Sequence, residues 1–320
     1  MSQSIFLTGA TGFVGGAVLR RLAADGFSVT AAVRNGSQGV KEDVDTVRFD
    51  SFEGASWSEH LTGIDAVVHC AARVHVMNDT VTDPLAAFRK VNVEGTLNLA
   101  RQAAEAGVRR FVFVSSIKVN GEGTEPGKPY TADDHPEPRD PYGVSKMEAE
   151  QGLRDLAGRT AMEVVIIRPV LVYGPGVKAN FLNMMRWLDK GVPLPFGAIH
   201  NGRSLVALDN LVDLIVTSIV HSGAANQTFL VSDGEDLSTT QLLRRMALAL
   251  DKSARLLPVP SWILSTVANL LGKKSLSQRL CGSLQVDISK TRSLLQWTPP
   301  VSVDNALKVA AEHYMEHKKQ

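Results

Sequence analysis

Two residues in this chain of 320 amino acids have the types and the spacing for proton transfer at an alcohol or a ketone. Tyr142 and Lys146 are four positions apart, and four residues of helix turn the chain by about 400°, which predicts both side chains on one face. Lowering the pKa of a phenol by ~3 units from its usual value near 10 requires about 4 kcal/mol of preferential stabilisation of the phenolate. A lysine cation beside the phenol can supply that energy, which predicts Tyr142 as a catalytic acid and base with Lys146 as its partner.

A serine at the end of an apolar strand is predicted to complete this catalytic group. Ser116 follows the apolar stretch 110–115 and is placed to hydrogen-bond the same substrate oxygen as Tyr142. Ser115 is the competing choice for this role. A Tyr-xxx-Lys pair alone is common on exposed helices, so the prediction depends on the motifs that accompany it.

A glycine-rich loop is the first of those motifs. The glycines of TGATGFVG, residues 8–15, are spaced GxxGxxG between a short apolar strand and a helix. This spacing permits a tight turn, close approach of backbone N–H groups to a pyrophosphate, and close packing of the helix on the strand. The loop predicts a dinucleotide site made by Gly9, Thr11, Gly12, Phe13, Val14 and Gly15.

The residue after the second strand predicts which dinucleotide binds. Enzymes that use NAD normally place Asp or Glu there, whereas an Arg accommodates a 2′-phosphate. This chain has Arg34, which favours NADP(H), and NAD(H) remains possible if Arg34 stacks on adenine or is a solvated loop charge. Asp50 and Ser51, after the third strand, are predicted adenine contacts or simple turn residues.

The elements that position these residues alternate between strand and helix. Apolar strands are predicted at residues 5–7, 29–33, 66–69, 110–115 and 163–168, with helices at 17–24, at 84–106 and after Pro141. Fully apolar strands in this alternation predict an α/β fold with a doubly wound parallel sheet (Rossmann) that is covered on both faces.

The chain changes character after about residue 170, where glycines and prolines break it into loops. Residues 204–207 and 227–231 are nevertheless predicted as strands that rejoin the sheet, and residues 262–271 as a core-packed or groove-lining helix. We therefore predict a dinucleotide-binding domain at 1–172, together with strands within about 204–232. A smaller, discontinuous C-terminal substrate domain is predicted at 173–203 and 233–320.

Composition excludes several classes of partner. The chain has 34 Lys and Arg against 33 Asp and Glu, so its net charge of +1 provides no strong overall field for nucleic acid or an anionic membrane. Hydrophobic residues make up 44%, which is enough for a full core. The sequence shows no signal peptide, membrane span, disulfide framework or metal-ligand spacing, and these features predict a cytoplasmic protein.

In combination, the motifs resemble those of the extended short-chain dehydrogenase/reductase family, particularly its nucleotide-sugar epimerases and dehydratases. The motifs that carry the resemblance are TGATGFVGG, HCAA, VNVEGTLNLA, FVFVSSIKVNG, DPYGVSK, RPVLVYGPG, RSLVALDNLVDLI and SKTRSLLQWTPP, and they cover nearly the whole chain. Where relatives often have Asn before Val-Tyr-Gly, this chain has Leu171. The resemblance implies a homodimer.

The resemblance also implies roles for further residues. Asn92 would belong to the active-site and cofactor framework rather than to a polar helix face, and Ala71 and Ala72 would line the pyrophosphate path. Asn180 and Phe181 would meet the nucleotide. Arg203 and Arg279 would clamp its diphosphate, since guanidinium groups pair with phosphate oxygens, although Arg279 could equally be a surface charge.

The predicted reaction is oxidoreduction at C4 of a nucleotide-activated sugar. Arg34 favours a reductase that draws on NADPH, acting on a UDP-4-keto-6-deoxy-N-acetylhexosamine for surface polysaccharide synthesis. The alternative is a 4-epimerase of UDP-GlcNAc or UDP-Glc, which uses the same residues and recycles its bound cofactor. A silent NAD(P)-sensing protein on the same fold is the third hypothesis, which the intact Ser116, Tyr142 and Lys146 set disfavours.

Overall fold

The computed structural model describes residues 3–37, 40, 44–74, 82–125, 127–270, 278 and 280–318. The strands, numbered along the chain, are β1 (Ser4–Thr8), β2 (Ser28–Arg34), β3 (Asp45–Phe49), β4 (Ala66–His69), β5 (Arg110–Val114), β6 (Glu163–Pro169), β7 (Leu171–Tyr173), β8 (Arg203–Ala207), β9 (Thr228–Val231) and β10 (Asp236–Leu237). Seven of them form one parallel sheet in the order β3-β2-β1-β4-β5-β6-β9. The strand order reverses between β1 and β4, which is the ligand-binding switch point of a doubly wound sheet. The predicted fold class is confirmed.

Helices cover both faces of this sheet, and further helices belong to the C-terminal part of the chain. They are α1 (Phe13–Ala24), α2 (Ser58–Leu61), α3 (Pro84–Arg89), α4 (Thr96–Glu105), α5 (Pro141–Ala157), α6 (Ala179–Asp189), α7 (Leu208–Val220), α8 (Thr239–Ala249), α9 (Ser261–Leu270), α10 (Ser289–Leu295) and α11 (Val303–His317). A π turn, Lys90–Gly95, joins α3 to α4 within the stretch predicted as one helix. No described helix is long and apolar enough to cross a membrane.

The strands alternate their side chains between two cores. Ile5 and Leu7 pack on the face covered by α1 and α7, whereas Phe6 between them packs on the face covered by α4 and α5. Trp57 is buried on that second face, with its ring centroid 5.6 Å from that of Phe6. Burial on both faces explains why these strands are apolar without alternation.

A small second sheet corrects one strand prediction. Residues 204–207, within β8, do not rejoin the main sheet, because β8 pairs with β7 in parallel and with β10 in antiparallel orientation. Only β9 returns, beside β6. The second sheet packs against α6, α8 and α11 around Tyr173, Phe181 and Leu243. An apolar run identifies a strand but not its partner, so the sequence could not separate these two outcomes.

For the helix predicted at residues 262–271, packing in the core is wrong, whereas the alternative of a groove-lining helix stays a prediction. The helix exists as α9, but none of its residues is buried. Leu271 lies outside the described residues.

Candidate functional site

The glycine loop forms a cradle at the start of α1. Gly9 has φ +74°, and a Cβ there would lie 2.7 Å from the Ala71 backbone nitrogen, while a Cβ on Gly15 would overlap the Gly9 carbonyl oxygen. Gly12 caps α1 without a side-chain hydrogen bond. No side chain at Gly12 therefore occupies the first backbone N–H groups of α1, a helix of 12 residues. Free N–H groups at the start of a helix are what a pyrophosphate site requires.

A cavity of about 840 Å³ extends from this cradle along the carboxyl ends of the strands. Its size is within the range of small-molecule and cofactor sites. The predicted cofactor residues on its wall are Gly9, Thr11, Gly12, Phe13, Val14, Gly15, Arg34, Asp50, Ser51, Ala71 and Ala72. The sequence reasoning missed Phe52, Glu53, Arg73 and Lys90, which also line it. The sequence signal for a cofactor contact was only positional: Phe52, Glu53 and Arg73 follow strand ends, and Lys90 lies in a helical segment.

The far end of the cavity contains charges of both signs. Arg34 is exposed on its wall, and Asn35 Nδ2 donates to Asp50 Oδ1 at 2.8 Å. A carboxylate there can accept a hydrogen bond from a hydroxyl or an amino group, but it repels a phosphate. Asp50 therefore opposes the effect that Arg34 has on a 2′-phosphate.

The amino end of α5 positions the candidate acid and base. Asp140 caps the helix by accepting from Gly143 N at 2.7 Å, and it also pairs with Lys118. This cap places Tyr142 in the first turn, where its ring lies edge-on to Phe88 with centroids 5.9 Å apart. The Ser116 hydroxyl lies close enough to the Tyr142 hydroxyl to lower its pKa.

The surroundings of Tyr142 in the protein alone favour its protonated form. Burial, followed by the negative charge of Asp140, raises the pKa of Tyr142 to about 12, against a smaller lowering effect of the Ser116 hydrogen bond. Lys146 Nζ donates to the Val114 carbonyl at 2.8 Å and lies 4.3 Å from the centroid of the Phe113 ring. In the protein alone, Lys146 therefore does not lower the pKa of Tyr142, and the lowering expected with an oxidised nicotinamide beside it stays a prediction.

Lys146 is buried and its charge is costly. Burial lowers the pKa of Lys146 from 10.5 to about 8, while the charges of Cys70 and Glu150 act in the opposite direction. Neighbouring His69 lies between Thr8 Oγ1 at 2.7 Å and Thr96 Oγ1 at 3.0 Å. Burial, with a contribution from the Lys146 charge, lowers the pKa of His69 to about 3, so this histidine is neutral and packed.

A buried ionic network below Lys146 was not predicted. Glu150, one helical turn after Lys146, accepts from Ser115 Oγ at 2.6 Å and from Arg168 Nε and Nη2 at 2.9 and 2.6 Å. Arg168 Nη1 in turn donates to Asn120 Oδ1 at 2.9 Å. Ser115 is thus held by Glu150, whereas Ser116 contacts Tyr142.

Asn92 connects the cofactor wall to α5. Its side-chain amide donates to Ser145 Oγ and to the Arg73 carbonyl, both at 3.0 Å, and its oxygen accepts from Arg73 N at 2.8 Å. The residue is buried in the π turn, so it is not on a polar helix face. It positions the strand end that carries Arg73 against the helix that carries Tyr142.

The predicted substrate residues lie on the second sheet and around it. Arg203 begins β8 and donates to the Gly282 carbonyl at 3.1 Å. Asn180 is exposed in the first turn of α6, whereas Phe181 is buried and stacks on Tyr173 with centroids 5.2 Å apart. The Phe181 side chain is therefore part of the core. Arg279 lies outside the described residues.

Known proteins resemble this chain in sequence. The sequence profile of a family described as "NAD dependent epimerase/dehydratase family" matches residues 5–232. A UDP-glucose 4-epimerase of Vibrio cholerae is 50% identical over 321 residues, which covers 99% of this chain and 97% of that protein. The N-acetyl-alpha-D-glucosaminyl-diphospho-ditrans,octacis-undecaprenol 4-epimerase of Escherichia coli O157:H7 is 28% identical over 335 residues, covering 100% and 98%.

Solved structures have the same fold. The UDP-glucose 4-epimerase of Thermotoga maritima, solved with UDP-glucose, superposes with a TM-score of 0.76 at 22% identity, covering 98% of this chain and 99% of that one. A short-chain dehydrogenase/reductase superfamily protein of Agrobacterium tumefaciens with bound NAD has a TM-score of 0.78 at 22% identity, covering 99% and 98%.

Proposed function

This chain belongs to the NAD dependent epimerase/dehydratase family, and from that premise we propose that it is a 4-epimerase of a UDP-hexose such as UDP-glucose. The observation that carries the proposal is the 50% identity to the Vibrio cholerae UDP-glucose 4-epimerase over nearly the full length of both chains. Ser116, Tyr142 and Lys146 would serve a reductase equally well. The epimerase, our alternative from the sequence, is therefore better supported than the reductase that Arg34 favoured.

The cofactor in this proposal is NAD, retained through the cycle. The glycine cradle fits a pyrophosphate, and Arg34 with Asp50 and Ser51 would meet the adenosine end of the cavity. When bound, the nicotinamide supplies the hydride acceptor and donor at C4 and, in its oxidised form, a positive charge. The predicted NADP preference depends on Arg34, with Asn35 and Ser37 as short donors beside it, and the Asp50 carboxylate on the same wall opposes it.

Tyr142 moves the proton in both directions of this reaction. As base it takes the proton from the C4 hydroxyl, and as acid it returns that proton to the C4 ketone. With a pKa of about 12, the Tyr142 phenol is protonated at neutral pH. Positive charge near the phenol is therefore required before Tyr142 can take the proton from the C4 hydroxyl. Ser116, whose hydroxyl lies near that of Tyr142, would hold the same substrate oxygen.

Epimerisation also requires the sugar to turn between the two transfers. Leu171 stands where relatives often have Asn, and its side chain is exposed and cannot hydrogen-bond a hydroxyl group. The pyranose ring is therefore less tethered there, while Arg203 would hold the diphosphate. A polyprenyl diphosphate, as in the substrate of the Escherichia coli relative, would present the same group, so sugars on both carriers belong in the assay.

The test is turnover of UDP-glucose to UDP-galactose with no added cofactor. Tyr142→Phe should lose about 10²- to 10⁴-fold in kcat, as expected for removal of a general acid and base, while keeping UDP affinity. Tyr314→Phe is the matched control, because the Tyr314 hydroxyl donates to Asp189 Oδ2 at 3.2 Å, where α11 meets the C-terminal end of α6. Near-normal kcat in the Tyr142 variant would contradict the role of this residue, and strict dependence on added NADPH would favour the reductase.

A further inference from the structure

The outer face of α9 is apolar and uncovered. Trp262, Val267 and Leu270 expose 68%, 47% and 82% of their surface. Together with Ile263 and Thr266 they fall within one arc of the helix, given its 100° step per residue. The Thr266 hydroxyl already has a hydrogen-bond acceptor within the helix, because it donates to the Trp262 carbonyl at 2.9 Å.

Soluble proteins rarely expose a contiguous apolar face of this kind without a binding role. Single exposed apolar residues are ordinary, but three on one short helix face are not. Leu257, which precedes the helix, is also 52% exposed and extends the apolar surface. The face therefore requires an occupant.

The charge of the surrounding sequence identifies that occupant. Residues 252–286 contain Lys252, Arg255, Lys273, Lys274 and Arg279, but no Asp or Glu. The rest of the chain then has 29 Lys and Arg against 33 Asp and Glu, so positive charge is concentrated in this segment. Lys252 and Arg255 are exposed in the structure.

A second copy of the chain would not suit this face. A two-fold interface places identical patches together, which would bring two segments of five cations into contact, with only Asp251 and Asp287 at the ends of each. An anionic lipid surface can accept both the apolar face of α9 and the cations of residues 252–286. An apolar helix face with Trp and flanking Lys and Arg is typical of helices that lie in a membrane interface.

The attachments of α9 place it beside the substrate residues. Pro260, directly before the helix, bridges to Ala198. The chain returns at Gly282, whose carbonyl accepts from Asn201 at 2.8 Å and from Arg203 at 3.1 Å. Both attachments are therefore made to residues within a few positions of the predicted diphosphate clamp.

We propose that α9 is an interfacial membrane helix through which this protein binds an anionic bilayer surface, with Trp262, Val267 and Leu270 at headgroup depth. Binding of this kind does not require a membrane span, and it does not depend on which sugar is the substrate. It would hold the Arg203 side of the protein against the lipid headgroups.

The test is sedimentation of the full chain with lipid vesicles. The protein should sediment with phosphatidylcholine vesicles containing one-third phosphatidylglycerol, and far less with pure phosphatidylcholine or at high salt. The double variant Trp262→Ser, Leu270→Ser should weaken this binding at least tenfold. Leu248→Ser is the matched control, because Leu248 is 72% exposed on α8 outside the basic segment.

Separate outcomes would overturn the proposal. Wild-type protein that stays in the supernatant at low salt excludes the membrane role, as does a double variant that binds like wild type. If the double variant instead dissociates a dimer in size-exclusion chromatography, the face belongs to a second copy. Turnover of UDP-glucose by the double variant in solution should be unchanged, so the epimerase proposal is tested independently.

Discussion

Replacement of Glu150 by Gln would test how the protein holds the cations of the candidate site. Glu150 is fully buried and accepts hydrogen bonds from Ser115, Arg168 and Arg154. Gln keeps the shape and one acceptor oxygen but removes the negative charge. The buried cations Arg168 and Lys146 would then lack their nearest carboxylate.

The size of the effect follows from burial. Removing one partner of a buried ion pair costs about 3–5 kcal/mol, and the retained shape favours the lower end. In a chain of 320 residues, about 3 kcal/mol corresponds to a fall in Tm on the order of 4–5 °C. Glu148→Gln is the matched control on the same helix, since its pair with Arg89 is partly exposed and worth about 1 kcal/mol or less.

A pH profile separates the electrostatic effect from simple destabilisation. The Glu150 charge opposes the lowering of the Lys146 pKa by burial, so in Glu150→Gln that pKa should fall further below about 8. The ammonium is then lost at lower pH, and the alkaline limb of turnover should move to lower pH. A Glu150→Gln protein that melts with the Glu148→Gln control, or that keeps the wild-type alkaline limb, would refute this reasoning.

Three further substitutions have expected outcomes. Lys146→Met should abolish turnover yet raise the free energy of unfolding at pH 7 by up to about 3 kcal/mol, because the lowered pKa of Lys146 shows that its buried charge is costly. This gain should shrink between pH 8 and 10.5, where the wild-type amine loses its charge. A Tm at pH 7 below that of the wild type would contradict the prediction. Gly15→Ala should weaken NAD binding at least tenfold in titration, because its Cβ overlaps the Gly9 carbonyl oxygen, whereas Gly158→Ala, whose Cβ has 3.6 Å of clearance, should not. Arg34→Asp should weaken NADPH binding more than NADH binding in fluorescence titration, and equal losses would show that Arg34 does not contact a 2′-phosphate.

The fold was largely predictable because its signals are local. A GxxGxxG loop between an apolar strand and a helix identifies the dinucleotide cradle. The eleven cofactor contacts predicted between Gly9 and Ala72 all line one cavity. The i,i+4 spacing likewise places Tyr142 and Lys146 on α5. These features depend on spacing along one element.

The features that could not be predicted depend on distant partners. The bonds of Glu150 reach Ser115 and Arg168, 35 and 18 residues away, so its role as a buried anion has no local pattern. The sheet that β8 joins and the exposure of α9 also depend on tertiary neighbours. The pKa of Tyr142 follows burial, which spacing alone does not report.

The most direct test of the proposed reaction uses UDP-glucose carrying deuterium at C4. With purified protein and no added cofactor, the account predicts UDP-galactose that retains the deuterium at C4, with no accumulation of reduced nicotinamide. The label remains because one bound cofactor takes the hydrogen from C4 and returns it to the same carbon. Loss of deuterium to solvent, or turnover that occurs only with a stoichiometric supply of NADPH, would contradict a 4-epimerase.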